Sequence, residues 1–207
     1  MDLTPVTLQG RRVRLEPLSL ERHWEGLLQI GLDPELWRFT LNKVARSADL
    51  RDYLETALRE QAGGKSLPFA TVDIGSGRVA GCTRFGNIEP AHRRVEIGWT
   101  WVGRTFQRSH VNSEAKYLML RHAFEAWGCM RVELKTGSEN RRSRDAIRRI
   151  GASEEGTLRR HAIADDGYIR DTVYFSIIES EWPAVKTRLE TMIAAYSPAA
   201  PIQPRTE

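Results

Sequence analysis

The stretch Val95-Glu-Ile-Gly-Trp-Thr-Trp-Val102, followed by Arg104-Thr-Phe-Gln-Arg-Ser-His-Val-Asn-Ser-Glu-Ala115, decides how this chain folds. The first half reads as a half-buried strand. Its alternation assigns Val95, Ile97, Trp99 and Trp101 to one face and Glu96, Gly98, Thr100 and Val102 to the other. The second half is a polar loop that opens a long amphipathic helix, expected from about Ser113 to Trp127. Asn112 or Ser113 would cap this helix, Glu114 would support its positive end, and Gly128 would stop it. A strand, loop and helix in this order aim free backbone N–H groups at whatever lies in front of the helix. A phosphate suits that place. Glu96 sets a candidate base beside the candidate cradle.

Working outward, Arg12 to Pro17 alternates as a strand, and Ser19 caps a helix over about Leu20–Ile30 that Gly31 ends. A second helix follows Ser47. The connector Asp33 to Thr40 has no strong period and reads either as a substrate-side loop or as a short helical turn. Pro68–Ile74 and Arg78–Phe85 form a hairpin around Gly75-Ser-Gly77. Met130–Thr136 is a strand and Ser143–Ile150 a short helix closed by Gly151. Thr157–Ile163 and Tyr168–Ile178 form a hairpin around Asp165-Asp-Gly167, and a last helix starts after Ser180. The order β-α-α-β-β-β-α-β-α-β-β-α predicts an α/β fold. Its sheet is mixed and mostly antiparallel, of about seven strands flanked by helices, with a central parallel pair. If that pair splays, an extended ligand could insert and bond to the backbone. Residues 1–195 are expected to form a single domain and 196–207 a flexible, proline-containing tail.

The 207 residues are 41% hydrophobic and 28% charged, which suits one α/β domain with a real core. No run of about 18 apolar residues predicts a membrane helix. Met1-Asp-Leu-Thr-Pro lacks the basic and apolar regions of a secretory signal. Cys82 and Cys129 have no metal-ligand spacing and read as buried, reduced thiols, so a cytoplasmic location and no metal are expected. The net charge of +4 suits an anionic ligand. The arginines come as scattered pairs without interleaved aromatics, so nucleic acid is not the expected partner. On the residues alone Glu96 is either a proton acceptor beside the open space of Gly98 or half of a cross-strand ion pair with Arg84 or Arg94. The ion pair is the commoner use of such a carboxylate.

Three segments carry a family resemblance: Glu96-Ile-Gly-Trp; Phe106-Gln-Arg-Ser-His-Val-Asn-Ser-Glu-Ala115; and Val132 to Ala152, with Arg160 to Ser176 behind it. Together they resemble the GNAT superfamily of acetyl-CoA-dependent N-acetyltransferases, most closely the branch of the ribosomal-protein N-terminal acetyltransferases. The resemblance implies transfer of acetyl to a primary amine, either a protein N-terminus or a small molecule, by a homodimer. The alternative is a non-catalytic acyl-CoA-sensing or protein-binding module of the same fold. By the same resemblance Trp99, Thr100, Trp101 and Val102 pair with the pantetheine arm of acetyl-CoA. Gln107, Arg108, Ser109, His110, Val111, Asn112 and Ser113 wrap the pyrophosphate, Asn140 and Ser143 approach the thioester end, and Glu96 deprotonates the amine.

Two departures stand out. His110 and Asn112 occupy positions where the family loop, Gln/Arg-x-x-Gly-x-Gly/Ala, places small residues. Glycine permits positive φ and close approach. His110 either adds a donor to a phosphate or narrows the cradle. Ile147 stands where many members carry a tyrosine acid, which leaves Ser143 or water for that role, or no acid at all. The acceptor is expected between the first two helices, the 33–40 connector and the Asp165-Asp-Gly167 hairpin, whose aspartates could attract a cationic amine. The cluster Arg141, Arg142, Arg144, Arg148 and Arg149 reads as a solvated cationic face that could reach the cofactor's 3′-phosphate.

Overall fold

The computed structural model describes residues 1–196. Eight strands make one sheet: β1 (Leu8–Gln9), β2 (Val13–Pro17), β3 (Leu67–Asp73), β4 (Arg78–Glu89), β5 (Arg94–Val102), β6 (Arg131–Gly137), β7 (Ser153–Ile163) and β8 (Ile169–Ile178). Their order is β1-β2-β3-β4-β5-β6-β8-β7. All neighbours are antiparallel except the parallel β5–β6 pair. The strand beyond the seven expected is β1, two residues long and too short for alternation to reveal.

The helices are α1 (Leu20–Gly31), α2 (Pro34–Trp37), α3 (Ser47–Ala62), α4 (His110–Arg121), α5 (Arg141–Arg149) and α6 (Trp182–Ala195). The 33–40 connector thus holds one helical turn, capped by Asp33. Helix α4 begins three residues earlier than expected because Ser109, not Asn112 or Ser113, is its cap. It continues as a π-helical segment over His122–Ala126. Of the expected 196–207 tail, only Tyr196 lies within the described residues. No helix among the described residues is long and apolar enough to cross a membrane.

Each sheet face carries its own core. On one face α4, α5 and α6 pack Val111, Leu118, Met119, Ile147 and Leu189 against Phe69, Phe85, Val95, Ile97, Val132 and Phe175. On the other, α1–α3 pack Leu27, Trp37, Leu50 and Leu54 against Ala70, Cys82 and Trp101. Full burial of each such side chain is worth about 1.5–3 kcal/mol. Cys82 and Cys129 are both buried and free.

The face assignment read from β5 fails at one place. Cys82 pairs with Trp101 and Arg84 with Gly98, so Thr83 on β4 opposes both Trp99 and Thr100. This bulge inserts one residue and reverses the pleat. Val95 and Ile97 therefore belong to the α4 face, and Trp101 to the opposite core. Trp99 takes a φ of 50° at the bulge, at a cost of about 1–2 kcal/mol for a non-glycine residue. The Arg84 guanidinium stacks on its ring at 4.1 Å, which helps to hold it there.

Candidate active site

The central parallel pair splays. β5 and β6 are in register only at Arg94–Arg131, Val95–Val132 and Glu96–Glu133. Beyond that point β6 stays paired with β8 as far as Gly137, whereas β5 from Ile97 to Val102 has no β6 partner. A cleft opens, bounded on one side by a strand edge whose polar groups suit an extended ligand.

Glu96 sits where the strands part. It is 2% exposed. Lys135 Nζ lies 2.8 Å from its Oε2, and Asn87 Nδ2 donates to the same oxygen at 2.6 Å. The ion pair allowed by the sequence therefore exists, with a lysine of β6 in place of Arg84 or Arg94. Arg94 pairs with Glu133 and Arg84 with Glu60. The space beside Gly98 is taken by the carboxylate itself, because a Cβ there would come within 2.8 Å of Glu96 Oε1.

The loop after β5 is tied at both ends. Gln107 Nε2 donates to the Val102 carbonyl at 2.8 Å, and Arg142 Nη1 donates to Gln107 Oε1 at 2.9 Å. Arg108 carries the positive φ, 59°, so His110 and Asn112 sit in ordinary helical backbone. His110 donates from Nε2 to Asp73 Oδ1 at 2.8 Å, which pins the start of α4 to β3. Burial raises the Asp73 carboxyl, but Ser76 and His110 outweigh that and hold it below its usual range. Ser109 Oγ accepts from the Val111 N–H, while the helix geometry gives the N–H groups of His110 and Asn112 no partner inside α4. Ser113 is fully buried and its Oγ accepts from Arg149 Nη2 at 3.2 Å. Glu114 is buried as well. It accepts the N–H groups of Arg11 and Arg12 near β2, and so does not stand at the helix's open end.

Asn140 caps α5, its Oδ1 accepting from the Ser143 N–H at 3.1 Å. The Arg142–Gln107 and Arg149–Ser113 bonds bring this helix against the α4 loop, so the two halves of the expected cofactor site meet. The Ser143 side chain is partly exposed, and its hydroxyl has no hydrogen bond among the described residues. Ile147 is a core residue, 8% exposed. The arginine cluster is less free than a solvated face. Arg144 and Arg148 both engage Glu154, alongside the bonds of Arg142 and Arg149.

Residues 12–153 match the acetyltransferase (GNAT) domain family. This chain belongs to the GNAT family. A GCN5-related N-acetyltransferase from Brucella melitensis shares 32% identity, covers 92% of this chain and 86% of its own, and superimposes with a TM-score of 0.85. The Bacillus subtilis (strain 168) protein named "Putative ribosomal N-acetyltransferase YdaF" is 27% identical over 172 residues, 83% of this chain and 92% of that protein. Mycobacterium smegmatis RimJ, solved with CoA-disulfide, shares the fold at 24% identity and a TM-score of 0.75, over 92% of this chain and 96% of its own.

Within this GNAT chain, two groups near the cleft escaped the sequence reading. Lys116 on α4 is 6% exposed, and its Nζ donates to Thr100 Oγ1 at the bulge at 2.6 Å. Burial brings its ammonium down to about 7 against the opposing pull of Glu96. A lone lysine among the buried positions Val111, Ala115, Leu118 and Met119 was the available signal. Lys135 was visible as the alternate of Leu134 and Thr136, but only the register sets it beside Glu96.

The Asp165-Asp-Gly167 hairpin lies against the chain just after the 33–40 connector: Asp165 donates its N–H to the Leu41 carbonyl at 2.9 Å. Its aspartates are engaged, however. Asp165 Oδ2 accepts from the Lys43 N–H at 3.0 Å, and Lys43 Nζ lies 3.2 Å from Asp166 Oδ2. Lys43 thus balances one of the two hairpin carboxylates.

Proposed function

We propose that this chain transfers the acetyl group of acetyl-CoA to a primary amine by direct attack in a ternary complex. The observation that carries the reading is the splay: an unpaired β5 edge begins at a buried carboxylate and ends on the free N–H groups of α4. The backbone of Trp99 to Val102 would hold the pantetheine arm, and N–H groups near Trp99–Trp101 would polarise the thioester carbonyl. The loop Gln107 to Ser113, with the His110 and Asn112 N–H groups foremost, would hold the pyrophosphate. Asn140 and Ser143 would approach from α5. Bound acetyl-CoA supplies an acyl group already activated as a thioester.

Glu96 takes the proton of the attacking amine through Oε1, while Lys135 and Asn87 hold Oε2. As the N–C bond forms, the C–S bond breaks. The thiolate leaves unaided or takes a proton from Ser143 or water. Relatives named for ribosomal acetylation favour a protein N-terminus as one acceptor class. The reaction is set in the cytoplasm, where Cys82 and Cys129 stay reduced. The competing reading, an acyl-CoA-sensing module, draws on Ile147, a buried residue with no proton to give.

The test is Glu96→Gln. We expect turnover to fall by about 10²-fold or more and its pH profile to shift, with acetyl-CoA affinity by calorimetry near normal. Unchanged turnover of the best amine would make Glu96 structural only.

A further inference from the structure

On the Glu96 side of the sheet, β8 carries a cation that forms no ion pair among the described residues. Arg170 is 8% exposed. Its Nε donates to Thr172 Oγ1 at 3.2 Å, and among the described residues its guanidinium has no ion pair. Arg170, Thr172 and Tyr174 alternate with Val173 and Phe175, which belong to the α4-face core, so Arg170 faces the side of Glu96 and Lys135. Gly137, at the open end of β6, lets the arginine lie across the strand. A Cβ there would stand 3.1 Å from Arg170 Cδ. Burial pulls the guanidinium below its usual range, and the Glu96 carboxylate pulls against that.

The neighbouring carboxylates are turned to other groups. Glu96 pairs with Lys135 and Asp166 with Lys43, while Asp165 and Asp171 accept the backbone N–H groups of Lys43 and Arg160. Glu96, the carboxylate on the same face as Arg170, is already paired with Lys135, so the Arg170 guanidinium is left without an ion pair among the described residues. A buried cation without a counter-charge is destabilising, and a guanidinium fork fits a carboxylate in bidentate fashion.

We propose that Arg170 binds a carboxylate of the acceptor, so that the amines this chain acetylates carry a carboxylate a few bonds from the nitrogen. The amine then meets Glu96 while the carboxylate meets Arg170 and gives it the ion pair it lacks. The carboxylate comes either from the α-carboxylate of a free amino acid or from an acidic side chain beside a peptide N-terminus. The inference rests on the acetyl-transfer reading above.

The experiment measures CoA release by the full chain with matched acceptors: amino acids against their carboxamides, and C-terminally amidated peptides with Asp or Glu against Asn or Gln in the second position. We expect the carboxylate member to win by about tenfold or more in kcat/KM in one arm, which names the source. Arg170→Gln should reduce that preference to near one, with the KM for acetyl-CoA unchanged. Arg170→Lys should keep part of it. Melting curves check that both variants fold, and the wild-type comparison stands even if they do not. Release of CoA without a carboxylate preference overturns this proposal alone, as does a preference that survives in folded Arg170→Gln. No release with any amine overturns the acetyl-transfer reading and this proposal with it.

Discussion

Lys116 shows how one side chain can tie stability to chemistry. Its ammonium is buried and bonded to Thr100 at the bulge, and it has no carboxylate within ion-pair distance among the described residues. Burial lowers it from 10.5 to about 7. The unfolded chain keeps the proton up to about 10.5, so between those values it binds more protons than the folded state, and stability rises with pH. Below about 7 the full penalty of burying the charge remains. Lys116→Met should therefore stabilise the protein at pH 6, on the order of 2–4 kcal/mol, and the gain should shrink towards pH 10. Urea unfolding at several pH values checks this; a pH-independent difference would show that Lys116 does not titrate in that window. At this scale the sequence was partly legible. Glu96 stood out as a lone carboxylate in an apolar strand. Its partner did not, because Lys135 is 39 positions away and only the parallel register joins them. His110 read either as a phosphate donor or as an obstruction in the loop, and its ring instead turns to Asp73.

At the scale of elements, the β5 bulge and the splay make the cleft. Periodicity found the strand but not its extra residue, since a two-residue alternation carries no mark of where the phase slips. The start of α4 was misplaced for a similar reason. Ser109, Asn112 and Ser113 all have capping side chains, and only the extended backbone of Ser109, with its Oγ on the Val111 N–H, marks the first as the cap. On β4, Gly81 is what lets β5 approach: a Cβ there would lie 2.1 Å from the Trp101 carbonyl oxygen. Because that contact is with backbone, Gly81→Ala should cost about 3 kcal/mol or more and displace the Trp99–Val102 edge. We expect a melting temperature at least about 8 °C lower, together with weakened acetyl-CoA binding. Parent-like melting would mean that the β4–β5 pair yields easily and that the bulge is not fixed by Gly81.

For the whole molecule, the element order and the mixed sheet were readable because each strand and helix keeps its own period and its own turn residues. The acceptor end was less so. It is assembled from residues 39–43 and, more than 90 positions later, the end of β6 and the β7–β8 hairpin. No local pattern announced that Lys43 would engage both hairpin aspartates or that Arg170 would have no ion pair among the described residues. The fold and the GNAT family membership stand on the match over residues 12–153 and on the superpositions. The central claim, that the cleft transfers acetyl to an amine, is tested most directly by measuring free CoA thiol released by the full chain from acetyl-CoA with and without a panel of primary amines. The account predicts release that depends on both the amine and the enzyme. Acetyl-CoA bound by calorimetry but left intact with every amine would contradict it and make the chain a sensor on the same fold.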